Sequence, residues 1–436
     1  MDATNSSCVL LLNLPPGALG GIDLLSFTTT PKFKGIKSLP RGWHFVFTSS
    51  TSDLSVRHGS WFQVKGPKDG HPEIFIKKWD ASNEELIDET DPAEILRWRA
   101  NLGSIWKEGL SPYRQSASDS STVKEEKMVW KKLTEHITPS LLSRIIGNGP
   151  HKCQWSLTSA SSAPQDLEHI PGLSSNEAVT ELRKELTFPP IDLKRTWPEG
   201  ATGRERTAAA RDHTWALNDL IEHHCRGGDA NELLGEMQFC FLMVLSLNNY
   251  SCLEQWKRML SLLFTCKEAV IEHSELFVDA IATLKRQLEC STEAAEGGLF
   301  DLRDEGGSLL KSLLHKFKLG LAELDGEEKE DVEAELEELE RYLSVEHGWR
   351  LDNDFLRKGM LELEDGEQVE MEVLGFEEED ESGEYAPTVV DLTAEELASL
   401  MGGRVGQVDE YAKQRKPRID KDHEHNYDEH DSDDTL

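Results

Sequence analysis

The alternation of hydrophobic and polar residues over positions 1–80 predicts β structure. Short runs rich in branched and aromatic residues are separated by turn-forming proline and glycine. In the clearest run, Trp43, Phe45 and Phe47 alternate with His44 and Val46, which is the period of a strand with one buried face. The predicted strands are 8–14, 22–27, 43–48, 61–64 and 74–79. Several short strands at this spacing favour a small sandwich or barrel.

Helical periodicity follows the predicted strands. It is weak over 92–102 and clearer over 123–137, where Val129, Leu133 and Ile137 repeat at a spacing of four residues. We expect these helices to pack on the sheet and to complete an N-terminal domain over 1–146. Ser, Gly, Pro and Ala then become frequent, so 147–187 is predicted to be a flexible linker.

Residues 188–320 are predicted to form a second, all-helical domain. The segment 237–247 is apolar on every side, which indicates a central, buried helix. Ser251 and Glu254 have the spacing of a capping box, and apolar stripes at helical spacing follow them. The pattern favours an antiparallel helical bundle or solenoid.

The remaining chain is acidic. Residues 321–385 contain 26 acidic and 5 basic residues, so this stretch alone carries −21 of the net charge of −34. A helix is expected near 327–342, because Leu336, Leu339 and Leu343 share one face. Beyond a short β-prone run at 385–392, residues 393–436 contain few apolar side chains and are predicted to be disordered.

The composition excludes several functions. Proteins that grip nucleic acid or anionic lipid neutralise phosphate with Lys and Arg, so a net charge of −34 favours protein partners. The seven cysteines are scattered and never form a C-x-x-C pair, which indicates reduced thiols rather than a disulfide framework or a zinc ribbon. No run of apolar residues is long enough to span a membrane, and no signal peptide is expected.

The common catalytic motifs are missing from the sequence, which weakens an enzymatic interpretation. His44 could be catalytic, but a hydrogen-bonded structural histidine is the stronger interpretation. His423, His425 and His430 could bind a metal, although a solvated tail would not orient them. We therefore predict no metal site and no cofactor.

Two clusters of basic residues are candidates for binding. Lys32, Lys34 and Lys37 alternate with Phe33 over 31–37, which could be a partner or nucleic-acid patch or simply a solvated turn with an apolar anchor. The basic run 413–418 could be a nuclear localisation signal or ordinary basic residues of a tail.

Two further sites could regulate or mediate binding. A phosphate on Ser251 would meet a helix N-terminus and could act as a switch, whereas the simpler interpretation is a plain capping serine. The run 385–392 could add as a strand to the sheet of another protein. Its candidate contacts are Tyr385, Thr388, Val389, Val390 and Leu392. Composition alone equally allows an isolated apolar patch or an internal edge strand.

Several motifs resemble those of the A1 cistron-splicing factor family. In order along the chain they are Gly-Ile-Asp-Leu-Leu-Ser-Phe at 21–27, Pro-Lys-Phe-Lys-Gly-Ile-Lys at 31–37 and Leu-Pro-Arg-Gly-Trp-His-Phe at 39–45. Glu-Met-Gln-Phe-Cys-Phe-Leu at 236–242 and Glu-Gln-Trp-Lys at 254–257 look like the second domain of that family. The resemblance extends over about residues 8–320.

The resemblance implies a multidomain α+β protein with an N-terminal β-sandwich-like domain, flanking helices, a VHS-like helical domain and an acidic, largely disordered C-terminal region. It also implies a non-enzymatic assembly factor of the spliceosomal U5 ribonucleoprotein, present in cytoplasm and nucleus. Such a factor binds the large U5 scaffold protein, contacts the RNase H-like and MPN-type domains of that scaffold, and is later exchanged for a helicase. The 385–392 strand, the basic cluster and Trp256 are then candidate partner contacts.

Two other classes stay open at this point. An enzyme could have an unrecognised site between the two domains. A VHS-like helical domain could also belong to a membrane-traffic adaptor, although similarity of fold alone does not establish function.

Overall fold

The computed structural model describes residues 6–51, 55–66, 72–114, 129–147, 155–167, 186–294, 305–349, 351, 356–362 and 368–374. All of them belong to one compact unit, Met1–Tyr385. A second unit, Ala386–Leu436, lies outside the described residues, as do the predicted docking strand at 385–392 and the predicted disordered tail.

Strands of the N-terminal part form two sheets with five strands each. The strands are β1 (Ser7–Leu12), β2 (Leu19–Ile22), β3 (Leu25–Thr28), β4 (Gly35–Leu39), β5 (Gly42–Ser49), β6 (Arg57–Val64), β7 (Ile74–Asp80), β8 (Glu85–Asp88), β9 (Leu110–Pro112) and β10 (Trp155–Thr158). The first sheet has the order β8-β7-β1-β4-β9, and the second has the order β10-β6-β5-β2-β3. The second sheet is antiparallel throughout, whereas β1 is parallel to β7 and β4 is parallel to β9 in the first.

The period of two in each strand places its side chains on opposite faces of the sheet. Val9 and Leu11 of β1 pack with Val46 and Phe62 of the second sheet, and this contact is the interior of a sandwich. Leu10 points the other way and packs under the helices that follow β8. The expected sandwich with flanking helices is therefore confirmed.

β5 differs from the expectation of one buried face, because every residue from Trp43 to Ser49 is buried. Val46 faces the interior of the sandwich, while Phe45 and Phe47 face the helical part of the protein. An alternating sequence fits a strand with one buried face and also a strand with two. Here both faces of β5 are covered, so that even the polar His44 is buried.

The predicted strand at 22–27 is a hairpin. β2 and β3 pair in the register Ile22 with Leu25, and the chain reverses at Asp23, whose φ of 55° lies in the left-handed region. Aspartate tolerates this conformation better than most residues. The structure also adds a strand that the pattern did not predict, β4, in part of the segment interpreted as a solvated basic turn.

The stretch 147–187 was expected to be a flexible linker, but part of it is built into the sandwich. β10 extends the second sheet by pairing Trp155 with Trp61. The Trp155 indole donates to Ser143 Oγ at 3.0 Å and contacts the ring of Trp43 with centroids 5.4 Å apart. The surrounding small and polar residues conceal the alternation of Trp155 and Leu157 in the sequence.

The helices and the short 3-10 turn surround this sandwich and continue beyond it. They are α1 (Pro92–Ala100), α2 (Leu102–Glu108), α3 (Pro139–Ile145), α4 (Pro164–Leu167), α5 (Gly203–Ala209), α6 (Thr214–His224), the 3-10 turn Arg226–Gly228, α7 (Asn231–Leu247), α8 (Tyr250–Leu263), α9 (Ala269–Glu272), α10 (Ser274–Ala294), α11 (Glu305–Ala322) and α12 (Glu330–His347). A hairpin of β11 (Leu356–Glu362) and β12 (Gln368–Leu374) follows.

The helical part and the sandwich share one hydrophobic core. Trp61 of β6 stacks on Trp130 with ring centroids 6.0 Å apart and contacts Phe239 of α7 at 6.3 Å. α7 is buried on nearly every side, as its apolar sequence predicts. Trp130 rather than Val129 takes the buried position in the segment before α3, where Val129 is 39% exposed.

The acidic region contains an ordered, packed helix. α12 corresponds to the helix expected near 327–342, and its buried stripe consists of Val332, Leu336, Leu339 and Leu343. These residues join the same core as the preceding helices. Among the helices that the structure describes, none is long and apolar enough to cross a membrane.

Candidate functional site

The basic loop, residues 31–37, contains the first group of predicted contact residues. Lys32 is exposed, and Phe33 is half-buried with its ring edge against Phe27 at a centroid distance of 5.1 Å. The main chain of Lys34 donates to Gly109 O at 2.8 Å, which ties the loop to the residue before β9. Lys37 differs from the others, because its ammonium donates to Trp106 O at 2.6 Å and lies 5.7 Å from that ring. Lys32, Phe33 and Lys34 therefore remain surface candidates, while Lys37 holds α2 to the sheet.

Gly35 allows the basic loop to approach β1. Its φ is +146°, and a Cβ atom at this position would lie 2.1 Å from the Val9 carbonyl oxygen. Only glycine avoids both the unfavourable backbone conformation and this clash. The glycine in the motif at 31–37 therefore positions the lysines on either side of it.

An apolar pocket of about 360 Å³ opens beside the basic loop. We name it the edge pocket, because its walls come from β2 and β3 on one side and from β4 and β9 on the other. It is lined by Ile22, Leu25, Phe27, Thr28, Thr30, Phe33, Ile36, Ser111, Pro112 and Arg114. Sequence analysis identified Phe33 as an apolar anchor, but it did not reveal the pocket, which requires strands that are distant along the chain.

His44 is part of a buried hydrogen-bonded network next to this pocket. Its Nδ1 lies 2.8 Å from Asp23 Oδ2, and its Nε2 donates to Pro40 O at 2.9 Å. Asp23 also accepts from Tyr113 Oη at 2.6 Å and from Phe45 N at 2.8 Å. Burial lowers the pKa of His44, but the charge and hydrogen bond of Asp23 outweigh it, so that the pKa is raised. This geometry confirms the interpretation of His44 as a structural histidine.

Trp256 does not lie on a surface. Its side chain is 6% exposed, and its indole donates to Gln287 Oε1 at 2.9 Å. It therefore joins α8 to α10, and the expectation that it contacts a partner is wrong for this fold. Its position in a motif of the family reflects packing.

Ser251 is not a helix cap. The cap of α8 is Asn249, whose side chain accepts from Cys252 N at 2.9 Å and donates to Ser161 O at 2.7 Å. Ser251 is 2% exposed, and its hydroxyl accepts from Ala163 N at 3.1 Å. The predicted capping box is therefore wrong, and a phosphate could not be accommodated at Ser251 without opening the core.

Polar residues of the helical motif join α7 to residues 132–144, a segment that includes most of α3, and to α8. Gln238 of α7 accepts from His136 N at 2.9 Å and donates to Lys132 O at 3.1 Å. Glu236 accepts from Arg144 at 2.7 Å and from Gln255 Nε2 at 2.9 Å. We call these contacts the seam. The sequence analysis did not predict these contacts. Polar residues within a largely apolar helix could have indicated them, since buried polar groups need hydrogen-bond partners.

The seam has strong local electrostatics. Glu236 is fully buried, and burial raises the pKa of its carboxyl against the opposing effect of Arg144. An open pocket of about 460 Å³ lies beside it, lined by Ser140, Ser143, Arg144, His223, His224, Cys225, Arg226 and Glu232. Burial, followed by the charge of Glu232, raises the pKa of the Cys225 thiol to about 12. A nucleophilic cysteine needs a lowered pKa, so this pocket does not favour thiolate catalysis.

The other predicted features have mixed outcomes. Tyr385, Thr388, Val389, Val390 and Leu392 all lie outside the described residues. The six cysteines within the described ranges are free thiols, and all six are buried. In the same ranges, no group of His, Cys, Asp and Glu could hold a metal ion.

These features define a class of protein: a β-sandwich that shares its core with a helical array and presents an apolar pocket with a basic loop at one edge. Two family models match such a chain, one described as the AAR2 N-terminal domain over residues 5–147 and the other as the AAR2 C-terminal repeat region over residues 188–352. The chain belongs to the AAR2 family. The second match extends to α12, so the helical part continues into the acidic region.

Curated relatives cover a similar span. The mouse protein AAR2 homolog (Mus musculus) is 28% identical over 308 residues, which is 64% of this chain and 74% of the relative. The human protein AAR2 homolog (Homo sapiens) is also 28% identical, over 304 residues, with the same coverage. The A1 cistron-splicing factor AAR2 of Saccharomyces cerevisiae is 23% identical over 268 residues, covering 58% of this chain and 68% of the yeast protein.

Proposed function

We propose that the protein is a non-enzymatic assembly factor of the spliceosomal U5 ribonucleoprotein and thereby supports pre-mRNA splicing. It binds the large U5 scaffold protein through the RNase H-like and MPN-type domains of that partner. It holds the scaffold in the cytoplasm and is exchanged for a helicase in the nucleus. The observation that carries this proposal is membership of a family whose yeast relative is named a splicing factor.

The seam supports a binding role for the whole molecule. Gln238 and Glu236 connect α7 to residues 132–144 through buried hydrogen bonds, and the aromatic contact of Trp61 with Phe239 fills the space between them. Sandwich and helices are therefore held in a fixed relation, because a domain movement would expose a common core. A rigid pair of surfaces suits a factor that holds a partner in one arrangement.

The distribution of charge supports a protein partner that is itself basic. Exposed carboxylates line the turn before α12 and its outer face, including Glu327, Glu328, Glu337 and Glu346. Such a surface repels RNA and attracts a surface rich in Lys and Arg. The acidic region would then mask a basic surface of the scaffold until assembly proceeds.

Affinity purification followed by mass spectrometry tests the proposed function. We expect the tagged full-length protein to recover the large U5 scaffold protein as its main partner, and a variant without residues 385–392 to recover less of it. Recovery of sorting receptors or vesicle coats instead would favour the trafficking class. Absence of splicing proteins under gentle lysis would contradict the proposal.

The masking role of the acidic region needs a test that preserves the fold. Deleting 321–384 would remove the buried stripe of α12, so substitution is the better design. We expect Glu327→Gln, Glu328→Gln, Glu337→Gln and Glu346→Gln together to weaken scaffold binding and to flatten its dependence on salt. The matched control neutralises four exposed carboxylates outside the acidic region, those of Glu84, Glu108, Glu199 and Glu222. Equal salt dependence of both variants would contradict masking.

A further inference from the structure

The edge pocket lies where both sheets of the sandwich end. β3 is the last strand of one sheet and β9 is the last strand of the other, and no strand of the described residues pairs with the outer edge of either. Leu25 and Phe27 of β3 form one wall, while Ser111 and Pro112 of β9 form part of the other. The result is an apolar cavity that opens alongside an unpaired strand.

The main chain of β3 offers hydrogen bonds at this edge. Thr29 N donates to Ala18 O at 2.8 Å, and bonded pairs alternate with non-bonded pairs in an antiparallel ladder. The pairing of Gly21 with Ser26 is therefore a non-bonded pair, so the peptide groups of Ser26 point away from β2. Ser26 and Thr28 are both exposed. An incoming strand would find donors and acceptors at these positions.

The charge around the edge pocket is opposite to that of the protein as a whole. The net charge of the chain is −34, yet the lining of the pocket contains no carboxylate and includes Arg114. Lys32 and Lys34 stand on the adjoining basic loop. Asp23, next to Ile22 of the lining, is buried and bonded to His44, so its charge is compensated locally.

We propose that the edge pocket binds an extended, acidic segment of a partner protein, which adds as a strand to β3 and places one large apolar side chain in the cavity. Main-chain bonds to Ser26 and Thr28 give affinity, and the cavity selects the side chain. Acidic residues flanking that side chain meet Lys32 and Lys34 of the basic loop. The inference rests on the proposal that the protein acts by binding another protein, but not on the identity of that partner.

A peptide titration tests the proposal directly. The probe is fluorescein-labelled Glu-Asp-Thr-Val-Phe-Val-Thr-Asp-Glu, and fluorescence anisotropy with the full-length protein reports binding. We expect saturable binding that is lost when Lys replaces every acidic residue of the probe. Replacing the central Phe by Ala in the probe should weaken binding about tenfold, because the cavity then stays empty.

Variants of the protein separate the parts of the proposal. Ser26→Pro removes an outward donor without removing a β2 bond and should weaken binding about tenfold, since proline is tolerated at edge strands but cannot donate. Lys32→Glu should weaken binding more than Lys107→Glu, an exposed lysine of α2 that bears the same charge change. Thermal melts establish that each variant is folded.

Three results would overturn the inference: no saturable binding of the probe, equal effects of Lys32→Glu and Lys107→Glu, or undiminished binding by Ser26→Pro. If Ser26→Pro does not fold, a probe with N-methyl groups on alternate amides replaces it, and undiminished binding of that probe has the same meaning. Recovery of the U5 scaffold by purification is a separate readout, so failure of peptide binding leaves the proposed function standing.

Discussion

Replacing Arg144 by methionine tests the electrostatics of the seam. Arg144 Nη2 lies 2.7 Å from Glu236 Oε2, and the Glu236 side chain is inaccessible to solvent while that of Arg144 is 24% exposed. Methionine keeps most of the aliphatic contact but removes the charge. Removing one partner of a buried ion pair typically costs about 3–5 kcal/mol of unfolding free energy. Because Arg144 is partly exposed, we expect Arg144→Met to lose about 3 kcal/mol at neutral pH.

The pH dependence of this loss identifies its cause. Burial already raises the pKa of Glu236 above 4.5, and without Arg144 that pKa rises further. A carboxyl group whose pKa is raised in the folded state does not lower the free energy of unfolding at pH values below its unfolded pKa, because it is neutral in both states there. Above that value, folding is opposed by about 1.4 kcal/mol per pH unit until the folded pKa is reached. The native protein bears the same cost up to its own, less raised pKa of Glu236, so the two proteins diverge only above that pKa. Arg144→Met should therefore be closer to the native protein at about pH 5 than at about pH 7.5.

Urea unfolding at both pH values measures this difference. The effect of Arg144→Met is measured both in the native protein and in the Glu236→Gln variant. In that background the carboxylate is gone, so adding Arg144→Met should cause a smaller loss that does not change with pH. Lys285→Met is the matched control, because its partner Glu338 is exposed and unfolding should change little. An equal loss at both pH values, or the same loss in the Glu236→Gln background, would refute the electrostatic reasoning.

Three further predictions concern buried groups elsewhere in the protein. The raised pKa of His44 means that its pairing with Asp23 stabilises the fold fully below pH 6.5 and less as pH rises through the folded pKa. Asp23→Asn should therefore lower the melting temperature more at about pH 6 than at about pH 9. An equal decrease at both pH values would count against the pairing. Gly35→Ala should lose more than about 2 kcal/mol in chemical unfolding, because Cβ would meet the Val9 carbonyl at 2.1 Å, whereas Gly203→Ala has open space and should behave normally. Ser251→Ala should lower the free energy of unfolding by about 1–3 kcal/mol, because Ala163 N loses its hydrogen-bond acceptor, and Ser251→Asp should lower it more. An aspartate variant as stable as the native protein would support the phosphorylation switch.

Elements whose signal is local can be predicted from the amino-acid sequence alone. The alternation of Trp43, Phe45 and Phe47 is preserved in β5, and the all-round apolar sequence of α7 leads to the central helix of the core. These patterns depend only on the period of a strand or helix and on the tendency of apolar surface to leave water. The motifs that resemble the family are also local, and the family comparisons confirm that resemblance.

Tertiary structure decided the roles of the polar residues. Asn249, not Ser251, caps α8 because its amide also reaches Ser161, and Trp256 is buried because α10 supplies an acceptor for its indole. A spacing of three residues permits a capping box but does not specify one. Which of two neighbouring polar residues caps the helix depends on hydrogen-bond partners that are distant along the chain, such as Ser161 for Asn249.

The candidate site shows the same division. Sequence identified Phe33 and the lysines beside it, but the edge pocket exists only because β3 and β9, from opposite sheets, end side by side. Likewise, the sequence shows Glu236 only as an acidic residue of a largely apolar helix, and the fold brings Arg144 to it across 92 residues of sequence. Period and composition fix which side chains leave water, whereas the packing of distant segments fixes what each buried or exposed polar group can bind.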